Sequence, residues 1–210
     1  MKTYKDFKVI EYVPPPPTAI QILQYELSKQ HGNLWLTKEF AGGMITLRDT
    51  YGGPIEGTTF RCFEDFRQGK RDPISHQLDP TFSQLNQLLA LACPYLLTPL
   101  ARMEPHALTN FIEVPYDVKV ENPPDEDFKK SGPYYEARIR SLNPRVYLVL
   151  MGITKEKNYN QHAIKIIKSV NKKAIIFVSY HPLNWIWHKN KKIGKDLQLK
   201  VGQFIKALGL

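Results

Sequence analysis

Three polar residues stand where apolar segments of the chain end, and their types suit one chemistry. Asp49, Asn110 and His181 each follow or close a segment with strand character. If these segments are strands of one open parallel sheet, their carboxyl ends share an edge, and ligands bind at that edge. A carboxylate, an amide and an imidazole together suit the cleavage of a bond to a flat, hydrogen-bonding ligand such as a nucleobase.

The elements that would position these residues alternate along the chain. We expect strands at about 43–48, 108–114, 145–151 and 174–180, and helices at about 80–93, 133–142, 160–170 and 193–208. Asp79 and Pro80 supply a cap and a first-turn proline for the first of these helices, and Ser131 to Pro133 would do the same for the next. The near-continuous apolar runs of the later strands are typical of burial on both faces. The pattern predicts an α/β three-layer α/β/α sandwich on a central parallel sheet of about four strands.

The length of the chain predicts a single domain. The chain has 210 residues, of which 42% are hydrophobic, enough for one sizeable core. The stiff, extended run from Pro14 to Pro17 separates an N-terminal tail, residues 1–17, from a single domain, residues 18–210. Thr18 is expected to cap a helix that ends at Gly32.

Composition excludes several classes of protein. Cys62 and Cys93 stand apart without a CxxC pair, which argues against a disulfide framework and a cysteine-rich metal site. The chain has no apolar run near the roughly 20 residues that span a bilayer, and its first residues lack the apolar core of a signal peptide. We therefore expect a soluble, cytoplasmic protein. The sequence contains neither the dinucleotide-binding motif GxGxxG nor the P-loop motif GxxxxGK[ST]. This argues against the interpretation as a nucleotide-binding α/β protein of another family.

Positive charge is concentrated in one quarter of the chain. The net charge is +9 overall; residues 155–206 hold twelve lysines against Glu156 and Asp196, a balance of +10, and the rest of the chain nets −1. A localised basic face is typical of nucleic-acid binding, although a lysine-rich solvated surface has the same composition. Trp185 and Trp187 lie inside this segment, as the apolar wedges of DNA-deforming proteins do; they are equally compatible with core or lid positions.

Three motifs together resemble those of the uracil-DNA glycosylase superfamily, over residues 43 to 206. Residues 47–54, Leu-Arg-Asp-Thr-Tyr-Gly-Gly-Pro, with Cys62-Phe63 downstream, resemble the family's first motif, Gly-Gln-Asp-Pro-Tyr-His-Gly-Pro. The segment around Asn110 resembles the strand with the base-reading asparagine, and Tyr180-His181-Pro182 resembles the last motif, His-Pro-Ser. Residues 124–152 resemble the helix-to-strand passage of that superfamily.

The resemblance implies a DNA glycosylase that hydrolyses the N-glycosidic bond of a flipped-out uracil or modified pyrimidine, as a monomer and without metal or cofactor. Asp49 would stabilise the sugar cation and orient water, and His181 would donate a hydrogen bond to the base O2. Asn110 would read the base edge, Tyr51 would pack against C5, and Phe63, or Phe60 if the loop is shifted, would stack on the ring. Candidate DNA contacts are Leu183, Trp185, Lys189, Lys191, Lys192 and Lys195.

Departures from the family pattern concern substrate choice. Arg48 and Thr50 replace the family's Gln and Pro, Gly52 replaces His, and Leu183 replaces Ser. A glycine beside Tyr51 leaves room for a bulky C5 substituent, so the alternatives are uracil removal in DNA repair and excision of hypermodified phage bases in antiviral defence. A DNA-binding scaffold that has lost turnover is the non-enzymatic alternative.

Overall fold

The chain forms an α/β structure. The computed structural model describes residues 34–35, 40–48, 80–95, 105–112, 123–154, 157–182 and 191–210. Within these ranges, the strands are β1 (Leu34–Trp35), β2 (Gly43–Leu47), β3 (His106–Asn110), β4 (Val146–Val149) and β5 (Ile175–Val178). The helices are α1 (Pro80–Ala92), α2 (Asp125–Leu142), α3 (Asn160–Val170) and α4 (Lys191–Leu208).

The strands form one sheet in the order β1-β3-β2-β4-β5. Strands β2 to β5 are parallel, with Leu47 opposite Asn110 and Val149 opposite Val178, which confirms the predicted four-stranded parallel sheet. The fifth strand, β1, pairs antiparallel with β3 at one edge. It was not predicted, because two residues are too few to produce an alternating pattern.

Helices cover both faces of the sheet, in three layers. Successive strand side chains point to opposite faces: Ile45 and Leu47 pack with residues of α1 and α4, whereas Met44 lies in the cluster formed with α2 and α3. The strand order explains this division. The chain moves in one direction from β2 to β3 and in the opposite direction from β3 to β4 and β5, so right-handed crossovers put α1 on one face and α2 and α3 on the other.

The same reversal creates a switch point between β2 and β4. In doubly wound sheets, the crevice outside the carboxyl ends of two such neighbouring strands is the place where ligands bind. The residues that follow Leu47 and Val149 are therefore the candidates for ligand binding.

Helix α2 begins earlier than predicted. We expected it to start near 133, with residues 131–133 as its cap, but it starts at Asp125, and Pro133 lies in its interior. Asp125, Glu126 and Asp127 occupy the first turn, where negative charge is favourable. Packing outweighs the lost hydrogen bond of the proline, since Phe128 in the early turns is buried. Asn143 ends the helix in the left-handed conformation, with φ 47°, as helix-terminating residues often do.

Strand β3 lies earlier than predicted, at His106–Asn110 instead of about 108–114. The remaining helix predictions are confirmed or lie outside the described residues. Helix α1 matches its predicted range closely, and α4 begins two residues before the predicted start. The proline-separated tail, the helix from Thr18 to Gly32, and Cys62 fall outside the described ranges. Cys93 is a buried cysteine at the end of α1. In the described portion, none of the helices has the length and apolar character needed to cross a membrane.

Close packing fixes α4 against the start of β2. A Cβ atom on Gly43 would lie 2.5 Å from Leu208 Cδ1 and 2.9 Å from Phe204 Cζ. A side chain at this position would require Leu208 or Phe204 to shift, so glycine favours the close approach of helix to strand. The contact anchors the C-terminal turn of α4 at the amino edge of the sheet and leaves its N-terminal turn toward the carboxyl edge.

Candidate functional site

Asn110 closes β3 at the carboxyl edge of the sheet, beside β2. It lies opposite Leu47 and is only 3% exposed. Parallel pairing continues beyond the strand ends, because the Phe111 and Ile112 N–H groups donate to the carbonyl oxygens of Leu47 and Arg48 over 2.9 Å each. The chain entering the first motif is therefore held against the segment that follows Asn110. Asp49 comes next in sequence and lies outside the described residues, as do Tyr51, Phe60, Phe63, Leu183, Trp185 and Lys189.

His181 lies beside the exit of β4. Gly152 has a φ of +109°, and a Cβ atom built on it would lie 3.8 Å from the Cβ of His181. Two strand spacings of about 4.8 Å separate β3 from β4, so roughly 10 Å of sheet edge lies between Asn110 and this glycine. The end of β2, which leads to Asp49, lies between them.

A buried polar chain supports the segment that carries His181. The Asn160 side chain accepts a hydrogen bond from Met151 N–H (2.8 Å) and donates one to the Ser179 carbonyl (3.1 Å). The Ser179 hydroxyl in turn donates to Asp196 Oδ2 over 2.6 Å. These contacts join the exits of β4 and β5 to α3 and α4, two residues before His181.

A buried arginine supports Asn110. Arg138 of α2 is fully buried and donates from Nη1 to Thr109 Oγ1 (3.3 Å) and to the Asn110 carbonyl oxygen (3.2 Å). The Thr109 hydroxyl donates to that same carbonyl over 3.1 Å. Two side-chain donors thus fix the peptide plane that follows Asn110.

An aromatic cluster fills the α2 and α3 side of this edge. Phe128 stacks on His162 with a centroid distance of 4.2 Å and on Tyr159 with 5.4 Å. Arg48 Cζ lies 5.3 Å from the centre of the Tyr159 ring, in cation–π range. Burial lowers the pKa of His162 below its ordinary value, partly offset by the nearby Asp125 carboxylate. Arg48, the residue before Asp49, is therefore packed against this aromatic cluster.

The described cations of the predicted DNA-binding set lie on the first turns of α4. Lys191, Lys192 and Lys195 are exposed. Because β5 ends at the carboxyl edge and Asp196 contacts Ser179 there, these lysines lie on the same side of the sheet as His181. The helix N-terminus adds partial positive charge. Lys172 and Lys173, also exposed, precede β5 and lie toward the opposite edge.

Sequence reasoning did not single out the supporting polar residues. Helical spacing could have identified them as buried. Arg138 lies three residues after Tyr135 and one before Ile139, on the buried side of α2. Asn160 likewise precedes Ala163 and Ile167 on the buried side of α3. A polar residue at a core position of an amphipathic helix requires a buried partner, and both partners here belong to strand ends.

The described residues contain no cluster of three or more His, Cys, Asp or Glu side chains able to hold a metal ion. The arrangement instead offers an amide, an imidazole and nearby cations around the switch point of a parallel sheet. Comparisons of the sequence with protein-family models and with curated proteins found no match.

Proposed function

We propose that this protein is a DNA glycosylase of the uracil-DNA glycosylase type, acting as a monomer on a pyrimidine flipped out of DNA. The observation that supports the proposal best is the placement of Asn110 and His181 on either side of the β2 exit, at the carboxyl edge of a parallel sheet. The chain that leaves β2 there leads within two residues to Asp49.

The proposed reaction builds positive charge on the sugar and negative charge on the departing base. Asp49 stabilises the sugar cation and orients the attacking water, as carboxylates do in glycoside hydrolysis. His181 donates a hydrogen bond to the base O2, where a neutral imidazole suffices. The buried Asn110 amide offers a donor and an acceptor side by side, the pattern that reads a base edge.

DNA is held and deformed by the segment that follows His181. Flipping costs a few kcal/mol, and in this proposal Leu183 and Trp185 fill the space left by the base. The lysines at the start of α4 bind phosphates. The exposure of Lys191, Lys192 and Lys195 on the His181 side of the sheet supports this role.

Two substrate classes fit the proposal. Tyr51 beside C5 suits uracil, whereas Gly52 and Gly53 leave space for a large C5 substituent, as in hypermodified phage pyrimidines. The first class corresponds to base-excision repair and the second to antiviral defence.

Base release from defined oligonucleotides tests the proposal. Duplex and single-stranded oligonucleotides carrying one U, T, 5-hydroxymethyl or glucosylated pyrimidine are incubated with the protein, and abasic sites are then cleaved with alkali. Asp49→Asn and His181→Ala are each expected to slow single-turnover release at least about 100-fold, because each removes a group that stabilises developing charge. Glu136→Gln is the control, since this carboxylate pairs with Arg140 on α2, 2.7 Å away.

The outcomes separate the alternatives. Preference for U over every substituted base excludes the modified-base class. DNA binding without release of any base would favour the alternative function, that of a DNA-binding scaffold without enzymatic activity. Near wild-type release by both site variants would show that the assigned residues are wrong even if the activity is real.

A further inference from the structure

Ser179, two residues before His181, is held at three points. Its N–H group donates to the Val149 carbonyl oxygen over 3.2 Å, and its own carbonyl oxygen accepts from the Asn160 side chain over 3.1 Å. Its hydroxyl donates to Asp196 Oδ2 over 2.6 Å. The first two contacts join Ser179 to β4 and α3, and the third joins it to α4. The position of the chain that enters His181 therefore depends on a side chain of α4.

The contact between hydroxyl and carboxylate has the geometry of a strong hydrogen bond. Its length of 2.6 Å lies within the range of about 2.5–2.7 Å for a hydroxyl that donates to a charged carboxylate, and such bonds are roughly twice as strong as neutral ones. Ser179 is only 1% exposed, and a hydrogen bond is stronger in a buried environment than in water. The bond therefore holds the exit of β5 at a fixed distance from α4.

Asp196 is an unfavourable residue on a surface that binds phosphates. Residues 155–206 hold twelve lysines and two acidic residues, of which Asp196 is one. The exposed Lys192 and Lys195 precede it by four residues and by one, so its negative charge lies among the proposed phosphate contacts and repels the DNA backbone. Affinity for DNA does not account for a carboxylate at this position, whereas the contact with Ser179 does.

The two ends of this hydrogen bond belong to segments that would contact different parts of the substrate. The first turns of α4 would hold phosphates through their lysines, and His181 would donate to O2 of the base. DNA that is anchored by its phosphates presents the flipped base at one place. A misplacement of about 1 Å between the reacting groups can lower the rate about 100-fold, so the distance between α4 and His181 matters for the reaction.

We propose that Asp196 is a positioning residue: by accepting the hydrogen bond of Ser179, it fixes His181 relative to the phosphate-binding turns of α4. DNA held by the lysines then presents its flipped base within reach of the imidazole. The carboxylate itself contacts neither the base nor the sugar. This inference rests on the proposed glycosylase function.

The test compares variants that separate the hydrogen bond from the charge. Asp196→Ala removes both, Asp196→Asn removes the charge and keeps an acceptor for the hydroxyl, and Ser179→Ala removes the donor. Single-turnover release of the best pyrimidine substrate is measured at saturating protein, at a temperature where each variant is folded, together with DNA affinity at one salt concentration. The control is Ser169→Ala, whose exposed hydroxyl donates within α3.

The expected rates follow the hydrogen bond and not the charge. Ser179→Ala and Asp196→Ala slow release about 10- to 100-fold, the double variant is no slower than the slower single variant, and Asp196→Asn retains most of the rate. Both Asp196 variants bind DNA equally, and at least as tightly as the wild type. Equal rates for Asp196→Asn and Asp196→Ala would overturn the proposal.

A His181→Ala background distinguishes positioning from general support of the fold. If Asp196 and Ser179 act through the imidazole, Ser179→Ala has little further effect on release once that imidazole is absent. An equal slowing in the presence and absence of His181 would overturn the proposal, because a merely structural contact acts in both backgrounds.

The NMR signals of the imidazole groups report the position of His181 without reference to catalysis. Asp196→Ala is expected to shift the His181 signal more than that of His106, which lies at the start of β3, and Asp196→Asn is expected to leave both near their wild-type positions. An unchanged His181 signal overturns the inference. If the wild-type protein releases no base, the proposed function fails, and the His181 signal still decides whether Asp196 positions this segment.

A conservative variant decides the case in which the alanine variants do not fold. Asp196→Glu keeps the charge and the acceptor but lengthens the side chain by one methylene, which displaces the acceptor from the Ser179 hydroxyl. Slower release with unchanged DNA affinity is expected, and a wild-type rate would overturn the proposal.

Discussion

The Ser179 hydroxyl donates a 2.6 Å hydrogen bond to the carboxylate of Asp196, and this contact ties the exit of β5 to the first turns of α4. His181 lies two residues after Ser179, and Lys195 lies one residue before Asp196. One short contact therefore relates the imidazole segment to the basic surface.

Removal of that hydroxyl should lower stability measurably. Ser179→Ala leaves Asp196 without this donor, and hydrogen bonds to charged groups contribute about 1.5–3 kcal/mol. We expect the free energy of unfolding in urea to fall by about that amount. The control is Ser169→Ala, whose exposed hydroxyl donates to the Ile166 carbonyl within α3; equal effects of the two changes would contradict the importance of the Asp196 contact.

Two glycines should respond to alanine with opposite signs. Gly43→Ala places a methyl group where Leu208 and Phe204 already lie, and overpacking typically costs about 1–3 kcal/mol. Gly202→Ala, inside α4 with nothing within 4 Å of the added atom, should raise stability by up to about 1 kcal/mol, because alanine favours helix. Denaturant midpoints measure both, and a destabilising Gly202→Ala would show that the surroundings of α4 are tighter than described.

His162 should make stability depend on pH. Burial holds its pKa below the ordinary value in the folded protein, so the unfolded chain binds a proton more readily. Its contribution is therefore present above the unfolded-state pKa of about 6.5 and is lost as pH falls toward the lower folded value.

The melting temperature tests this assignment. His162→Gln should lose less stability than the wild type between pH 7.5 and 5.5, a window in which most carboxylates remain ionised. Gln161→Ala, an exposed neighbour on α3, serves as the control. Identical pH profiles for wild type and His162→Gln would assign the dependence to other groups.

The lysines of α4 should contribute affinity for DNA without sequence preference. Changing Lys191, Lys192 and Lys195 to alanine removes three cations from the proposed site edge, and each lost phosphate contact lowers the slope of log affinity against log salt by about 0.9. Binding should weaken alike on all sequences. The matched control is Lys172→Ala with Lys173→Ala, toward the opposite edge of the sheet; an equal effect there would indicate nonspecific attraction by net charge.

The local pattern of the sequence determined the parallel core. The apolar run around Val146 predicted a buried strand, and the spacing of apolar residues predicted α1, α3 and α4 close to their observed ranges. These predictions succeeded because burial on both faces and helical periodicity are properties of short segments. The run around Ile175 also forms a strand, but its predicted burial on both faces was wrong, because β5 stands at the end of the strand order and Ile175 is exposed. The start of α2 was predicted wrongly, since packing of Phe128 carries the helix through Pro133.

Only the tertiary structure decided which segments meet. The order β3-β2-β4-β5 and its switch point depend on pairing between strands far apart in sequence, which no local pattern encodes. The same holds for the contact of Arg138 with Asn110, 28 residues earlier, and of Asn160 with Ser179, 19 residues later. The sequence by itself determined that Asn110 belongs to a strand segment and that His181 follows one. The fold decided that Asn110 ends its strand, that Gly152 lies beside His181 and that the buried Arg138 contacts Asn110, because partners for buried polar groups exist only after the layers have packed.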